Sequence, residues 1–269
     1  MKRFYLEITD ACNLNCPFCT YEKGNSFLPL SQIEDYLDQI RMYSDYIYLH
    51  MIGEPLLHPD FSKILQILDE KQFKLQLVSN GLLLKQYPDL FDHPCLRKLA
   101  VSVHSINNIE VPASYFDYLL EMIGKEKHPI IELRFYDQNN LSAPLKDFLD
   151  LLQKRYPFTL SDRQGSYQLK KDLYVTFSDL FRWPDIHDPF ISENGYCHGG
   201  IDMLGINIQG KVTLCCLDPL AHNCLGDLHT TTLKKILESE YYQQIINDLK
   251  NRKLDFDLCQ RCSYRLRFR

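Results

Sequence analysis

No apolar stretch in this 269-residue chain approaches the ~18 residues that a membrane-spanning helix needs. The N-terminus, MKRFYLEITD, starts basic but reaches Glu7 and Asp10 without an apolar core or a small-residue cleavage site, so it is not a secretory signal peptide. A surplus of charge of one sign is missing too. The formal net charge is −5, which does not suit a general nucleic-acid binder, and the basic C-terminal YRLRFR reads as a solvated tail. What is present is the balance of an ordinary globular protein, with 45% hydrophobic and 24% charged residues, in a length that allows one large α/β domain with a small appendage. The expectations are a cytoplasmic monomer with no membrane and no nucleic-acid partner. Ten cysteines in a reducing compartment are poor candidates for disulfides, and where they cluster they point to metal.

Strand and helix patterns alternate through the first two thirds of the chain. RFYLEIT is a predicted strand, and LSQIEDYLDQIRMY a helix opened by a Ser31–Glu34 capping box. YIYLHM, FKLQLVS, KLAVSV, IIELRFY and DLYVTF are further strands. Between them lie helices over DFSKILQILDEK (with Asp60 as N-cap), from near Leu82, over SYFDYLLEMIGKE and over LKDFLDLLQKRY. Such a βα repeat implies parallel strands with helical crossovers. In 131–136 the apolar Ile131, Leu133 and Phe135 alternate with Glu132, Arg134 and Tyr136. A sheet covered on both faces would favour continuous apolar strands. A barrel, or an arc of one, turns its polar residues toward a lumen that holds a polar ligand. The expected fold class is therefore α/β, a partial (β/α)5-6 TIM-like barrel over residues 1–177. A connecting segment, 178–196, follows, in which Trp183 could form a lid. Residues 197–269 form a small C-terminal domain with a hairpin about Gln209–Gly210 and one amphipathic helix over TTLKKILESEYYQQIINDLK.

Three cysteines, Cys12, Cys16 and Cys19, follow the first strand with the spacing C-x3-C-x2-C. That is one thiolate short of a closed zinc site and of the four that an iron–sulfur cube takes. Three ligands leave one metal position open, where another molecule can coordinate. The loop also lies at the C-terminal end of its strand, where barrel active sites sit. Cys197, Cys215, Cys259 and Cys262 supply a full set of four, as C-x12-G-x4-C and then C-x2-C. Spacing alone leaves zinc and iron–sulfur open there. Strand alternation turns Cys216 away from Cys215, and Cys95 and Cys224 read as buried thiols.

CNLNCPFC resembles the cluster-binding loop of the radical S-adenosylmethionine (radical SAM) superfamily. The resemblance implies that Cys12, Cys16 and Cys19 hold a [4Fe-4S] cluster. Its open iron would be chelated by SAM, which is cleaved to methionine and a 5′-deoxyadenosyl radical. GEPLLHPDF is similar to the family's GGEP loop, with Ile52 in place of the first glycine, and implies Gly53 and Glu54 as contacts of the SAM amino group. VSNG places Asn80 at the usual position after the third strand, and VSVHS (Ser102, His104) resembles the ribose-contacting fourth strand. Arg134 is the candidate for the SAM carboxylate, because a guanidinium can grip a carboxylate through two bonds; its alternative is an ion pair with Glu132. For His104 the alternative is a hydrogen-bonded histidine of the lumen.

The second cysteine set resembles the SPASM/twitch extensions of the same superfamily. Only SYRLRFR follows Cys262, which fits a twitch domain with one auxiliary [4Fe-4S] cluster bound by Cys197, Cys215, Cys259 and Cys262. The implied activity is a dehydrogenase-type oxidation of a small molecule, an alcohol or aminocyclitol, with the auxiliary cluster taking up the electron and a flavodoxin or ferredoxin as external reductant. Because the chain begins at the first barrel strand, a small molecule is preferred over a short peptide. The alternatives are a peptide-modifying radical SAM enzyme, a non-catalytic iron–sulfur electron-transfer or sensor protein, and a zinc-stabilised binding module.

Overall fold

The computed structural model describes residues 1–19, 21–107, 109–112, 114–136, 138–159, 164–179 and 182–268; Leu180 and Phe181, in the expected connecting segment, lie outside the described residues. Within them the strands are β1 (Arg3–Leu6), β2 (Tyr46–Tyr48), β3 (Lys74–Ser79), β4 (Leu96–Val101), β5 (Ile130–Tyr136), β6 (Gly165–Lys170), β7 (Leu173–Ser178), β8 (Met203–Ile206), β9 (Lys211–Thr213) and β10 (Cys224–Asp227). The α-helices are α1 (Leu30–Arg41), α2 (Phe61–Glu70), α3 (Ser114–Gly124), α4 (Ala143–Arg155), α5 (Leu233–Glu238), α6 (Glu240–Lys250) and α7 (Asp257–Arg261). They sort into two compact units, Met1–Lys74 with Phe181–Arg269, and Leu75–Leu180.

In the first unit the strand order is β10-β9-β8-β1-β2. β1 is paired in parallel on both edges, Phe4 opposite Ile47 on one side and Arg3 to Leu6 opposite Met203 to Ile206 on the other. Phe4, Leu6 and Ile8 are fully buried, as are Ile33, Leu37 and Ile40 of α1; each such side chain contributes about 1.5–3 kcal/mol by leaving water. The hairpin β8–β9 is antiparallel and turns at Gly210, whose φ is +73°. Asn207 pins that turn, its Oδ1 accepting from Gln209 N (3.1 Å) and Lys211 N (3.0 Å) while its Nδ2 donates to Pro219 O (2.9 Å).

Two helix starts differ from the predicted ones. α1 begins after Pro29, with no side-chain cap. Pro29 O already accepts from Gln32 N and Ile33 N (both 3.0 Å), so Ser31 falls inside the helix and no capping box forms. The single helix predicted near the C-terminus is two, α5 and α6. Ser239 breaks it with an extended ψ of 145°, and its Oγ caps α6 by accepting from Tyr242 N (3.1 Å).

In the second unit the order is β3-β4-β5-β7-β6. β3, β4, β5 and β7 run parallel, and β6 pairs antiparallel on β7. β6 was not expected, because an edge strand such as GSYQLK carries no apolar alternation; its residues are half-buried to exposed. Ile131, Leu133 and Phe135 of β5 are fully buried, and Phe135 packs near Phe148 of α4 and Phe177 of β7 (ring centroids 6.4 and 5.3 Å). The helix expected near Leu82 is replaced by two 3₁₀ turns, Leu84–Gln86 and Leu90–Asp92. Pro88 stands between them and has no N–H to extend a helix. Neither set of strands closes into a ring, so the fold is an open α/β arrangement and not a closed barrel. No helix among the described residues is long and apolar enough to cross a membrane.

A Cβ at position 210 would add a left-handed backbone penalty and come within 2.6 Å of Tyr36 Oη. Gly210→Ala is therefore expected to cost on the order of 2 kcal/mol, measured as a lowered midpoint in urea denaturation. An unchanged midpoint would remove the strain assigned to this turn.

Candidate functional site

The three-cysteine loop is clamped at its base. Beyond β1, Thr9 Oγ1 donates to Ser26 O (2.8 Å) and accepts from Ala11 N (3.0 Å), and Asp10 Oδ1 accepts from Ser26 N (2.7 Å). A Cβ on Gly24 would lie 2.2 Å from Asp10 Oδ2, so the returning limb runs close against the Asp10 carboxylate. Cys19 N donates to Cys16 O (3.0 Å), a turn that brings the last two cysteines together. Burial raises the Cys12 thiol, against the N–H of Leu14 and the charge of Lys23, and pushes Cys16 up to about 11. Both feel the charge of Cys19, and Cys12 also that of Glu54. Thiols buried in this way keep their protons until a metal displaces them.

Glu54 reaches this loop because position 53 has no side chain. A Cβ on Gly53 would sit 2.0 Å from Thr9 O and 3.0 Å from Ala11 O. The backbones therefore dock directly, and Glu54 N donates to Ala11 O (2.8 Å). Glu54 is buried, and its Oε1 accepts from Leu56 N (3.2 Å). The residue that sequence reasoning missed is Glu7. It is 1% exposed, with Oε1 accepting from Ile52 N (3.1 Å) and Oε2 from Ile208 N (3.0 Å). Burial lifts its carboxyl to about 7 despite these two donors. The available signal was an acid one residue past a strand that is apolar on its other face.

In the second unit, Asn80 O accepts from Tyr115 Oη (2.9 Å), and Asn80 Oδ1 accepts from Leu82 N (3.0 Å). β4 stops at Val101, two residues short of the predicted end, and Ser102 opens a 3₁₀ turn, Val103–Ile106; its carbonyl accepts from Ser105 Oγ (2.6 Å). His104 stacks on Tyr136 (centroids 3.5 Å, 23°), and its Nδ1 lies 3.1 Å from Arg134 O. A carbonyl only accepts, so Nδ1 carries the proton. Burial lowers this imidazole to about 3, which leaves it neutral near pH 7. Arg134 Nε donates to Glu132 Oε2 (2.9 Å), the pairing that the sequence left as an alternative. Glu132 also holds Lys98 Nζ (2.8 Å) and Thr176 Oγ1 (2.8 Å). Burial pushes Glu132 up, but Arg134, Lys98 and Thr176 overcome it and leave the carboxyl at about 2.

The four-cysteine set assembles in the first unit. Burial raises Cys215 well above its ordinary value, and the charges of Cys216, Cys197 and Cys259 add to this. Cys259 is raised by burial, then by Cys197 and Cys262. A Cβ on Gly199 would lie 3.6 Å from Cys197 Sγ and 3.5 Å from Cys215 Cβ. Cys216 turns to Tyr5, with which it hydrogen-bonds, and Cys224 Sγ faces Gly226 O (3.5 Å). Arg265, expected in a solvated tail, is buried and donates to Cys259 O (3.0 Å), Asn194 O (3.2 Å) and Ser192 O (2.9 Å). Trp183 is also buried, edge-on to Tyr21 (5.2 Å), whose hydroxyl donates to Pro184 O (3.1 Å) and Leu217 O (3.3 Å).

All ten cysteines are free. Sulfurs of the four-cysteine set face N–H donors: Cys197 faces His198 and Gly199, Cys215 faces Leu217, and Cys262 faces Tyr264 and Arg265. Half-buried thiols with N–H groups aimed at sulfur are a donor set suited to iron–sulfur clusters. Among the described residues no three His, Cys, Asp or Glu side chains are grouped to hold a single metal ion.

An open α/β fold with one three-thiol loop and one four-thiol set defines an iron–sulfur protein. Residues 6–133 match the radical SAM superfamily and residues 197–263 the SPASM iron–sulfur cluster-binding domain; together these spans exceed half of the chain, and the chain belongs to the radical SAM superfamily. Its cofactors are S-adenosylmethionine and iron–sulfur clusters. The chain is 30% identical over 117 residues to the GTP 3′,8-cyclase of Aquifex aeolicus (strain VF5), covering 40% of this chain and 36% of that protein. It spans only about a quarter to two-fifths of the length of such curated relatives. In fold it is similar to BtrN in complex with AdoMet and 2-DOIA (TM-score 0.58, 15% identity, 97% of this chain and 92% of that one). It is also similar to Streptococcus suis SuiB bound to the precursor peptide SuiA (TM-score 0.59, 15% identity, 90% and 66%).

The Glu7 carboxyl, at about 7 in the folded protein, compares with ~4.3 in an unfolded chain. A raised value means that the folded form holds the proton more tightly. This contribution to stability is therefore complete below about pH 4.3 and lost as pH rises through about 7. Glu7→Gln does not titrate, so unaltered protein should lose stability relative to the variant across that window in urea titrations. Parallel stability curves for the two proteins would contradict the assigned shift.

Proposed function

We propose that the chain is a radical SAM oxidoreductase that removes hydrogen from a carbon of a small alcohol or amino alcohol and passes the remaining electron to an auxiliary cluster. The observation that carries this reading is the presence, in one compact unit, of a three-thiol loop and a four-thiol set on segments linked by the parallel pair β1–β8. Cys12, Cys16 and Cys19 would hold a [4Fe-4S] cluster with one iron left to SAM, and Cys197, Cys215, Cys259 and Cys262 a closed auxiliary [4Fe-4S] cluster. When bound, these groups supply a 5′-deoxyadenosyl radical that takes a hydrogen atom from substrate, and an acceptor for the electron that follows.

The protein's own contribution is positioning and charge. Glu54 presents its carboxylate for the SAM ammonium, and Gly53 lets the loop backbone approach it. His104, whose Nδ1 donates to Arg134 O, would lie against the SAM ribose. Ser102 and Asn80 supply further polar contacts. Arg134 spends its Nε on Glu132, so a SAM carboxylate would meet its Nη groups. A flavodoxin or ferredoxin would deliver the priming electron. The match to BtrN, bound to AdoMet and 2-DOIA, over almost the whole length of both chains supports a small-molecule substrate. The likeness to SuiB with its precursor peptide supports a peptide as the second reading.

Anaerobically reconstituted, reduced protein should convert SAM to 5′-deoxyadenosine, and Cys16→Ala should abolish this. Cys259→Ala should still cleave SAM but lose auxiliary iron and product formation. Deuterated amino alcohols and peptides are then screened for deuterium carried into 5′-deoxyadenosine. No 5′-deoxyadenosine with any reductant would overturn the catalytic reading, and deuterium from peptides alone would favour the second.

A further inference from the structure

Each proposed auxiliary ligand except Cys259 takes its N–H donors from its own chain neighbours. Cys197 has His198 and Gly199, Cys215 has Leu217, and Cys262 has Tyr264 and Arg265. Cys259 sits within α7, where the next N–H, that of Gln260, is spent on Phe256 O (3.0 Å). Helical N–H groups point along the axis toward the N-terminus and cannot turn to a side chain on the same turn.

A side chain from elsewhere supplies the missing donor. Asn223 is 1% exposed, and its Nδ2 lies 3.3 Å from Cys259 Sγ. Among the described residues its Oδ1 has no hydrogen-bond partner. The reverse orientation would set an oxygen lone pair against the sulfur, so the chemistry selects the amide nitrogen. The amide is held there by Asp218, which is fully buried and accepts from His222 N (2.8 Å) and Asn223 N (2.6 Å) through its two oxygens. The 218–223 loop is in turn fastened to the hairpin by Asn207 Nδ2 on Pro219 O. An uncharged donor locked beside a thiolate favours the electron-richer state of the group that the thiolate holds.

We infer that Asn223 is a positioning residue that sets the reduction potential of the auxiliary cluster by donating a hydrogen bond to Cys259 Sγ, with Asp218 as its anchor. This rests on Cys259 being an auxiliary ligand, as proposed above. The nearest backbone donor along the chain, Gln260 N, is engaged with Phe256 O, so removal of the amide acts on the potential without changing the ligand set.

The test is a potentiometric EPR titration of the reconstituted protein and of Asn223→Leu, which keeps the volume and removes the donor. The auxiliary midpoint should move to more negative potential while the midpoint of the SAM-binding cluster stays fixed. In unaltered protein carrying 15N in asparagine side-chain amides, the reduced auxiliary cluster should show a 15N hyperfine coupling. An unmoved auxiliary midpoint with full iron content, or no coupling in the labelled protein, overturns the inference. If Cys259→Ala leaves iron and sulfide content unchanged, the ligand assignment itself fails, an outcome distinct from either of these. Should Asn223→Leu not retain iron, the labelled unaltered protein still decides.

Discussion

The Glu7 carboxylate, buried between Ile52 N and Ile208 N, is the contact on which the first unit turns. It exists because β1 is paired in parallel on both edges, with β2 and with β8. Parallel pairing on both sides delivers three chain segments to the same end of the strand: the cysteine loop, the loop of Gly53 and Glu54, and the turn of the C-terminal hairpin. One carboxylate then satisfies a backbone donor from each flanking segment. Leaving these donors unmet would cost about 1–3 kcal/mol for each buried group, so the acid is retained even though burial disfavours its charge.

The cysteine chemistry follows from the same closeness. Gly53 lets backbone meet backbone at Thr9 and Ala11, which sets Glu54 within electrostatic reach of Cys12. Around the second set, half-buried thiols lie near one another with the one charge of Arg265 acting on Cys197, Cys259 and Cys262; a single cation falls short of four thiolates, and the arrangement becomes favourable once a metal cluster takes up their charge. Leu204, Ile206, Val212 and Leu214 pack the hairpin and Leu258 packs α7, and a bound cluster would add a further tie between α7, the hairpin and the segment around Cys197.

The elements that departed from the sequence reading share one cause: a local signal was overruled by a neighbour. Ser31 and Glu34 spell a capping box, yet Pro29 starts α1 first. Ser239 carries little weight in an amphipathic pattern, yet its hydroxyl caps a new helix. β6 has no hydrophobic alternation because only its edge pairing on β7 makes it a strand. Arg265 looks like part of a charged tail, but three carbonyls converge on it. For Arg134, alternation alone could not separate a ligand contact from the Glu132 pair that is present.

The sequence by itself determined the α/β class, the alternation that buries Ile131, Leu133 and Phe135, the two cysteine sets and the superfamily, because these are written in spacings short enough for backbone geometry to enforce. Only the tertiary structure decided which groups meet across long separations. Glu7 is joined to Ile208, Tyr21 to Leu217 and Asn223 to Cys259. Contacts of that kind depend on strand order and on loops closing over one another, and a single chain's local pattern carries no record of either.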